Sequence, residues 1–255
     1  MSELARLTWT DVGSGRLLVV PLGSCEQHGP HLPLDTDTRI AEALAGAAVD
    51  RLGAALLAPP ITIGASGEHQ SFPGTLSIGT EALTEVLVEL VRSALPGGGA
   101  TGPRPFVGVV LVNGHGGNVT ATTAAAERLA PEGRAVLAWH PQVAGGDSHA
   151  GRTETSLLLH LAPETVRTDR LEVGSTARWR DIRETVVRSG LAAVTENGVL
   201  GDPRPATADE GAETFASLVE ALVADVDRWR ASLSDVTGTT GTTDAAPGPV
   251  GGGET

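Results

Sequence analysis

The residue types able to do chemistry gather where histidine, acid and glycine follow a short apolar run. The first such stretch, Gly23 to Asp37, holds Glu26, His28, His31, Asp35 and Asp37. In extended backbone, residues two apart point the same way, so Glu26 and His28 can face one pocket. Asp37 returns on the far side of a loop restricted by Gly29, Pro30 and Pro33. Glu, His and Asp together form a mixed nitrogen and oxygen donor set suited to Zn2+, Mn2+ or Fe2+. A polar loop with incidental histidines fits the same spacing.

The second stretch is Val112-Asn113-Gly114-His115-Gly116-Gly117-Asn118. It lacks the lysine of a phosphate-binding loop and does not match the dinucleotide fingerprint. His115 reads as a metal ligand or as a satisfied core histidine. The third runs from Gly145 to Ser156 and contains His149 and Glu154. Glu154 falls in the first turn of an expected helix, where the dipole favours a carboxylate whatever its function. His149 sits in a glycine-bounded loop and is read as a swinging proton carrier, not a ligand. A weaker stretch, Gly64 to Thr75, looks like a pocket-lining loop. His140 and His160 have no such company, and His160 reads as structural.

Short apolar runs alternate with longer helical patterns. Leu17–Leu22, Ala55–Ile63, Phe106–Val112 and Arg134–Trp139 read as strands, with Pro59 and Pro60 expected to break the second partway. Helical spacing runs from Thr38 to Leu52, from Val119 to Ala130, and along Phe215, Leu218, Leu222, Val226 and Trp229. Thr80 is the expected N-cap of a further helix ending near Pro96. This alternation predicts an α/β fold with a largely parallel sheet. The chemical stretches then lie at the carboxyl ends of strands, where such sheets bind ligands. One domain is expected over residues 1–233. The Gly/Thr/Pro-rich segment 234–255 is expected to be a disordered tail.

Composition narrows the function classes. A formal charge of −13, with only 3% aromatic residues and no Tyr, argues against nucleic-acid binding. All 18 basic residues are Arg, which excludes lysine Schiff-base and phosphate-loop chemistry. A single cysteine, Cys25, cannot form an internal disulfide. With no signal-peptide pattern and no membrane-length apolar run, the expected location is the cytoplasm.

Together these stretches resemble the creatininase family of metal-dependent amidohydrolases. The resemblance spans residues 7 to 230 and rests on Gly23–Pro33, Asp35 with Asp37, Asn113–Asn118, and His149-Ala150-Gly151 running into Glu154-Thr155-Ser156. Leu34–Ala41, Gly64–Gln70, Gly146–Gly151 and Gly198–Pro203 look, more narrowly, like the branch acting in mycofactocin biosynthesis. The resemblance implies a three-layer α/β/α sandwich, a homo-oligomer (a hexamer or similar) and a centre of divalent metal ions, two per subunit. Glu26, His28, Asp37 and His115 match the family's ligands, with Asp37 as the bridging carboxylate. Creatininase places an acid two residues after the His of its glycine turn, where this chain has Gly117, so Glu154 is the candidate replacement ligand or a base. His149 is assigned proton transfer, and His69, Gly74, Thr75, Gly116 and Gly117 substrate binding. The implied reaction is hydrolysis of a peptide bond near the C-terminus of a modified precursor peptide, releasing a Val-Tyr-derived unit. A small cyclic amide or formamide is the alternative substrate, and a non-catalytic binding scaffold the alternative class.

Overall fold

The computed structural model describes residues 3–97 and 104–238, with side chains described as far as residue 233. Four strands form one parallel sheet: β1 (Arg16–Leu22), β2 (Ala55–Leu57), β3 (Phe106–Asn113) and β4 (Val136–Trp139), in the order β2-β1-β3-β4. The helices are α1 (Thr36–Leu52), α2 (Thr80–Ala94), α3 (Val119–Leu129), α4 (Arg152–Leu161), α5 (Trp179–Ser189) and α6 (Ala208–Gly238).

The alternation of side chains along the strands divides the core. Leu17, Val19, Val110 and Val112 face one way and pack with Ile40, Leu44, Leu158 and Leu222 of α1, α4 and α6. Leu18, Val20, Leu22, Val109 and Leu111 face the other way, against Leu83, Leu87, Ala121 and Leu129 of α2 and α3. Both faces of β1 and β3 are buried, so these strands are continuous apolar runs, as parallel strands under two helical layers must be. The three-layer sandwich expected from the sequence is present.

Several local expectations needed correction. Beyond Pro59-Pro60 only an isolated bridge from Ile61 to Leu22 remains, so β2 stops at Leu57. Gly79, at φ +79°, occupies the cap position of α2, and Thr80 is its first residue. Helix α5 escaped notice because charged residues interrupt its sequence; its apolar positions, Ile182 and Val186, fall four apart on one face. Helix α6 continues to Gly238, past the expected boundary at residue 233. The remainder of the expected tail, 239–255, lies outside the described residues. Among the described residues, no helix is long and apolar enough to cross a membrane.

Register positions the chemistry. Leu22 of β1 pairs with Asn113 of β3, so the stretches beginning at Gly23 and Gly114 leave the sheet side by side at its carboxyl edge.

Candidate metal centre

Helix α1 is brought to that edge by glycine. A Cβ on Gly114 would lie 2.4 Å from the Asp37 carbonyl oxygen, so only glycine lets β3 end directly against the first turn of α1. Asp37 sits in that turn, where the helix dipole favours a carboxylate. The Ser24 hydroxyl donates to Asp37 Oδ2 at 2.8 Å and fixes its plane.

Around Asp37 the other candidates converge. Its Oδ1 lies 3.1 Å from His28 Nε2, and its Oδ2 lies 3.1 Å from His115 Nδ1. Glu26 Oε2 is 3.1 Å from His115 Nε2, and Glu154 Oε2 is 3.9 Å from His28 Nε2. Two three-residue groups with mutually close donor atoms share Asp37: Glu26 with Asp37 and His115, and His28 with Asp37 and Glu154. A third group is Glu26, His28 and His149. His28 Nδ1 donates to the Glu26 carbonyl at 3.1 Å, which orients the ring and leaves Nε2 facing the cluster.

The charges are strongly coupled. Burial opposes a proton on His28, but the Asp37 charge and hydrogen bond, with Glu154 and Glu26 behind them, raise it to about 10. His115 is likewise raised, burial being overcome by Glu26 and Asp37. Burial raises Asp37 and Glu26, yet the neighbouring histidines hold both below the ordinary carboxylate range. Glu154, lifted chiefly by burial, titrates at about 7.

One feature tests whether a cation belongs here. Both carboxylate oxygens of Glu26 are buried with no donor in hydrogen-bonding geometry; the nearest groups are ring nitrogens, His69 Nε2 at 3.3 Å from Oε1 and His115 Nε2 at 3.1 Å from Oε2. An unsatisfied buried carboxylate is costly, and a divalent ion held with Asp37 and His115 would satisfy it. The donor set is all nitrogen and oxygen, as Zn2+ and Mn2+ accept. The residues fit a metal.

The remaining predicted residues fall into two groups. His69, Gly116, Gly117, His149 and Glu154 line a cavity of about 860 Å³ that reaches Asp37 and His115. Gly74 and Thr75 do not line it. The Thr75 hydroxyl accepts from the Gln27 amide at 3.1 Å and the Gly74 carbonyl faces Cys25 Sγ, so they hold the Cys25–Gln27 segment in place. The structure thus places them behind the site and not on the cavity wall where substrate contact was expected.

His149 is held in place. The Ser148 amide donates to the Leu200 carbonyl, the Leu200 amide donates to the His149 carbonyl, and the ring is buried. Its Nε2 donates to the Gln27 carbonyl at 2.9 Å, leaving Nδ1 toward Glu26 Oε1 at 3.8 Å. Burial, with His28 and His69, holds its pKa well below the ordinary imidazole value. His160 lies exposed on α4 with its ring beside Phe215 of α6, away from the cluster. His140 has a partner after all, accepting from Asn113 Nδ2 at 3.0 Å.

Gly117 explains the departure from creatininase. A Cβ there would lie 2.4 Å from the Ala65 carbonyl oxygen and from His115 Nε2, and 2.6 Å from Glu68 Oε1. No side chain fits, and Glu154 reaches His28 and Asp37 from α4 instead. Sequence reasoning passed over Gln27 and Glu68. The Gln27 amide donates to the Gly198 carbonyl and touches both His69 and His149, and Glu68 Oε1 lies 3.8 Å from His115 Nε2. Glu68 sat beside His69 in a glycine-bounded stretch, which was the available signal.

A parallel α/β/α sheet with a buried Glu-His-Asp cluster at its carboxyl edge defines the class, a metallohydrolase-like α/β enzyme. The family model described as creatinine amidohydrolase matches residues 5–226, and the chain belongs to the creatininase family. It is 54% identical over 222 residues to the mycofactocin precursor peptide peptidase of Mycobacterium tuberculosis, covering 83% of this chain and 85% of that protein. To the protein of the same name from Mycolicibacterium smegmatis it is 50% identical over 220 residues, covering 84% and 85%. A solved creatininase mutant described as Zn-Zn type superimposes with a TM-score of 0.71 at 25% identity, over 89% of this chain and 97% of that one.

Proposed function

We propose that this chain is a metal-dependent peptidase that hydrolyses a C-terminal peptide bond of the modified mycofactocin precursor peptide and releases its Val-Tyr-derived unit. The observation that carries the reading is the identity of about half over most of the chain to relatives named for that reaction. The cavity supports it, since about 860 Å³ accommodates several peptide residues and is ample for a small amide.

Glu26, Asp37 and His115 would hold one ion, and His28, Asp37 and Glu154 the other. When bound, such ions polarise an amide carbonyl and lower the pKa of water from 15.7 to about 7. The chain's own residues do the rest. His149 accepts a proton at Nδ1 and delivers it to the leaving nitrogen. With Nε2 committed to the Gln27 carbonyl, Nδ1 facing the cluster is the ring nitrogen available to take and give that proton. Gln27 fixes the tautomer by accepting from Nε2 at its carbonyl. His69, Gly116 and Gly117 contact the substrate along the cavity wall. A cytoplasmic homo-oligomer completes the proposal.

The test is to incubate the zinc- or manganese-loaded protein with the modified precursor peptide and follow products by mass spectrometry. Release of the Val-Tyr-derived unit is expected. Intact peptide, with turnover of creatinine or a formamide, would replace the reading with the small-amide alternative.

A further inference from the structure

The cavity has an unusual wall opposite the acids. Trp179, Arg183, Val186 and Val187 of α5 all line it; Arg183 lies four residues after Trp179, three before Val186 and four before Val187, which places them on one helix face. Helix α5 is anchored rather than loose. Val186 packs with Leu191 and Leu200, and the helix contacts the Gly67–His69 turn that carries the site.

Arg183 stands apart from the arginines around it. Arg178 and Arg180 lie beside Asp181, and Arg188 beside Glu184. Arg183 has no ion pair among the described residues. Among the described residues it is also the only arginine on a cavity wall that bears Asp37, Glu68 and Glu154. In a chain of net charge −13, an unpaired cation facing an acidic cavity is placed to accept an anion brought from outside. The guanidinium fork matches a carboxylate. The flanking Trp179, Val186 and Val187 match the apolar side chains beside it.

We propose that Arg183 is a specificity-determining residue that binds a carboxylate of the peptide substrate, either its C-terminal carboxylate or an acidic side chain. This rests on the peptidase reading for the nature of the substrate, but not for the cation's role.

The experiment uses the zinc-loaded full chain and synthetic peptides ending in Val-Tyr. These carry a free C-terminus, an amidated C-terminus, or Asp against Asn at an internal position. Binding is measured by competition and cleavage by KM and kcat. Charge-assisted hydrogen bonding predicts about ten- to hundredfold weaker binding and higher KM for whichever peptide has lost the recognised carboxylate. R183Q should abolish that discrimination at unchanged metal content, and R183K should restore part of it. The amide arm points to the C-terminus and the Asn arm to a side chain. Equal binding of all peptides by the wild type, or full discrimination retained in R183Q, would overturn the proposal. Discrimination in binding without cleavage of any peptide would instead refute the peptidase reading and leave Arg183 with its role.

Discussion

His28 Nε2 lies 3.1 Å from Asp37 Oδ1, with both side chains out of contact with solvent. Without metal, this is a buried ion pair in which the imidazole keeps its proton to about pH 10, against an ordinary value of 6.5. The sign of the pH effect follows. A raised folded-state pKa contributes stability that is complete below about 6.5 and is lost as pH rises through about 10. Metal binding must displace the same proton, so metal affinity should rise over that window. Chelator-treated wild type should lose melting temperature between pH 7 and 10 more steeply than H28Q. Zinc addition to the wild type at pH 8 should release protons that H28Q does not. Matching pH slopes for the two proteins would remove the ion pair from the account.

His149 should behave as a proton carrier. H149A is expected to keep its metal, because Glu26, Asp37, His115, His28 and Glu154 remain, while turnover falls about 10²–10⁴-fold. Metal analysis and single-turnover kinetics on one preparation decide this. Loss of metal in step with activity would make His149 a ligand, through the group it forms with Glu26 and His28.

Gly117 should tolerate no side chain. The Cβ of G117A would meet the Ala65 carbonyl oxygen at 2.4 Å, and overpacking of this kind costs about 1–3 kcal/mol. Urea unfolding of the two proteins measures it. Unchanged stability in G117A would show that the turn relaxes freely and that steric exclusion does not explain the missing acid.

The sheet was legible because β1 and β3 are buried on both faces and therefore read as unbroken apolar runs. The cluster was legible because Glu26, His28, Asp37 and His115 follow those runs on stretches rich in glycine. Glu154 could be nominated but not placed, since an acid in the first turn of a helix is favoured there on any account. Gly74 and Thr75 misled because they neighbour His69 in sequence while their polar groups turn toward Gln27 and Cys25. The mobility assigned to His149 from its glycines failed because Leu200, fifty residues on, pins the loop through long-range backbone hydrogen bonds. Arg183 carried no signal at all. What distinguishes it from the arginines around it is its place on the cavity wall without an ion pair among the described residues, which only the fold reveals.

The central proposal is that Asp37 would serve both donor groups, Glu26–Asp37–His115 and His28–Asp37–Glu154, as a ligand common to two metal ions. Metal analysis of purified wild type, D37A, E26Q and E154Q, each loaded with zinc and passed through a desalting column, tests it most directly. The account predicts two ions per chain in the wild type, one each in E26Q and E154Q, and none in D37A, with the circular dichroism of all four alike. Retention of two ions by D37A, or of both by E154Q, would contradict it.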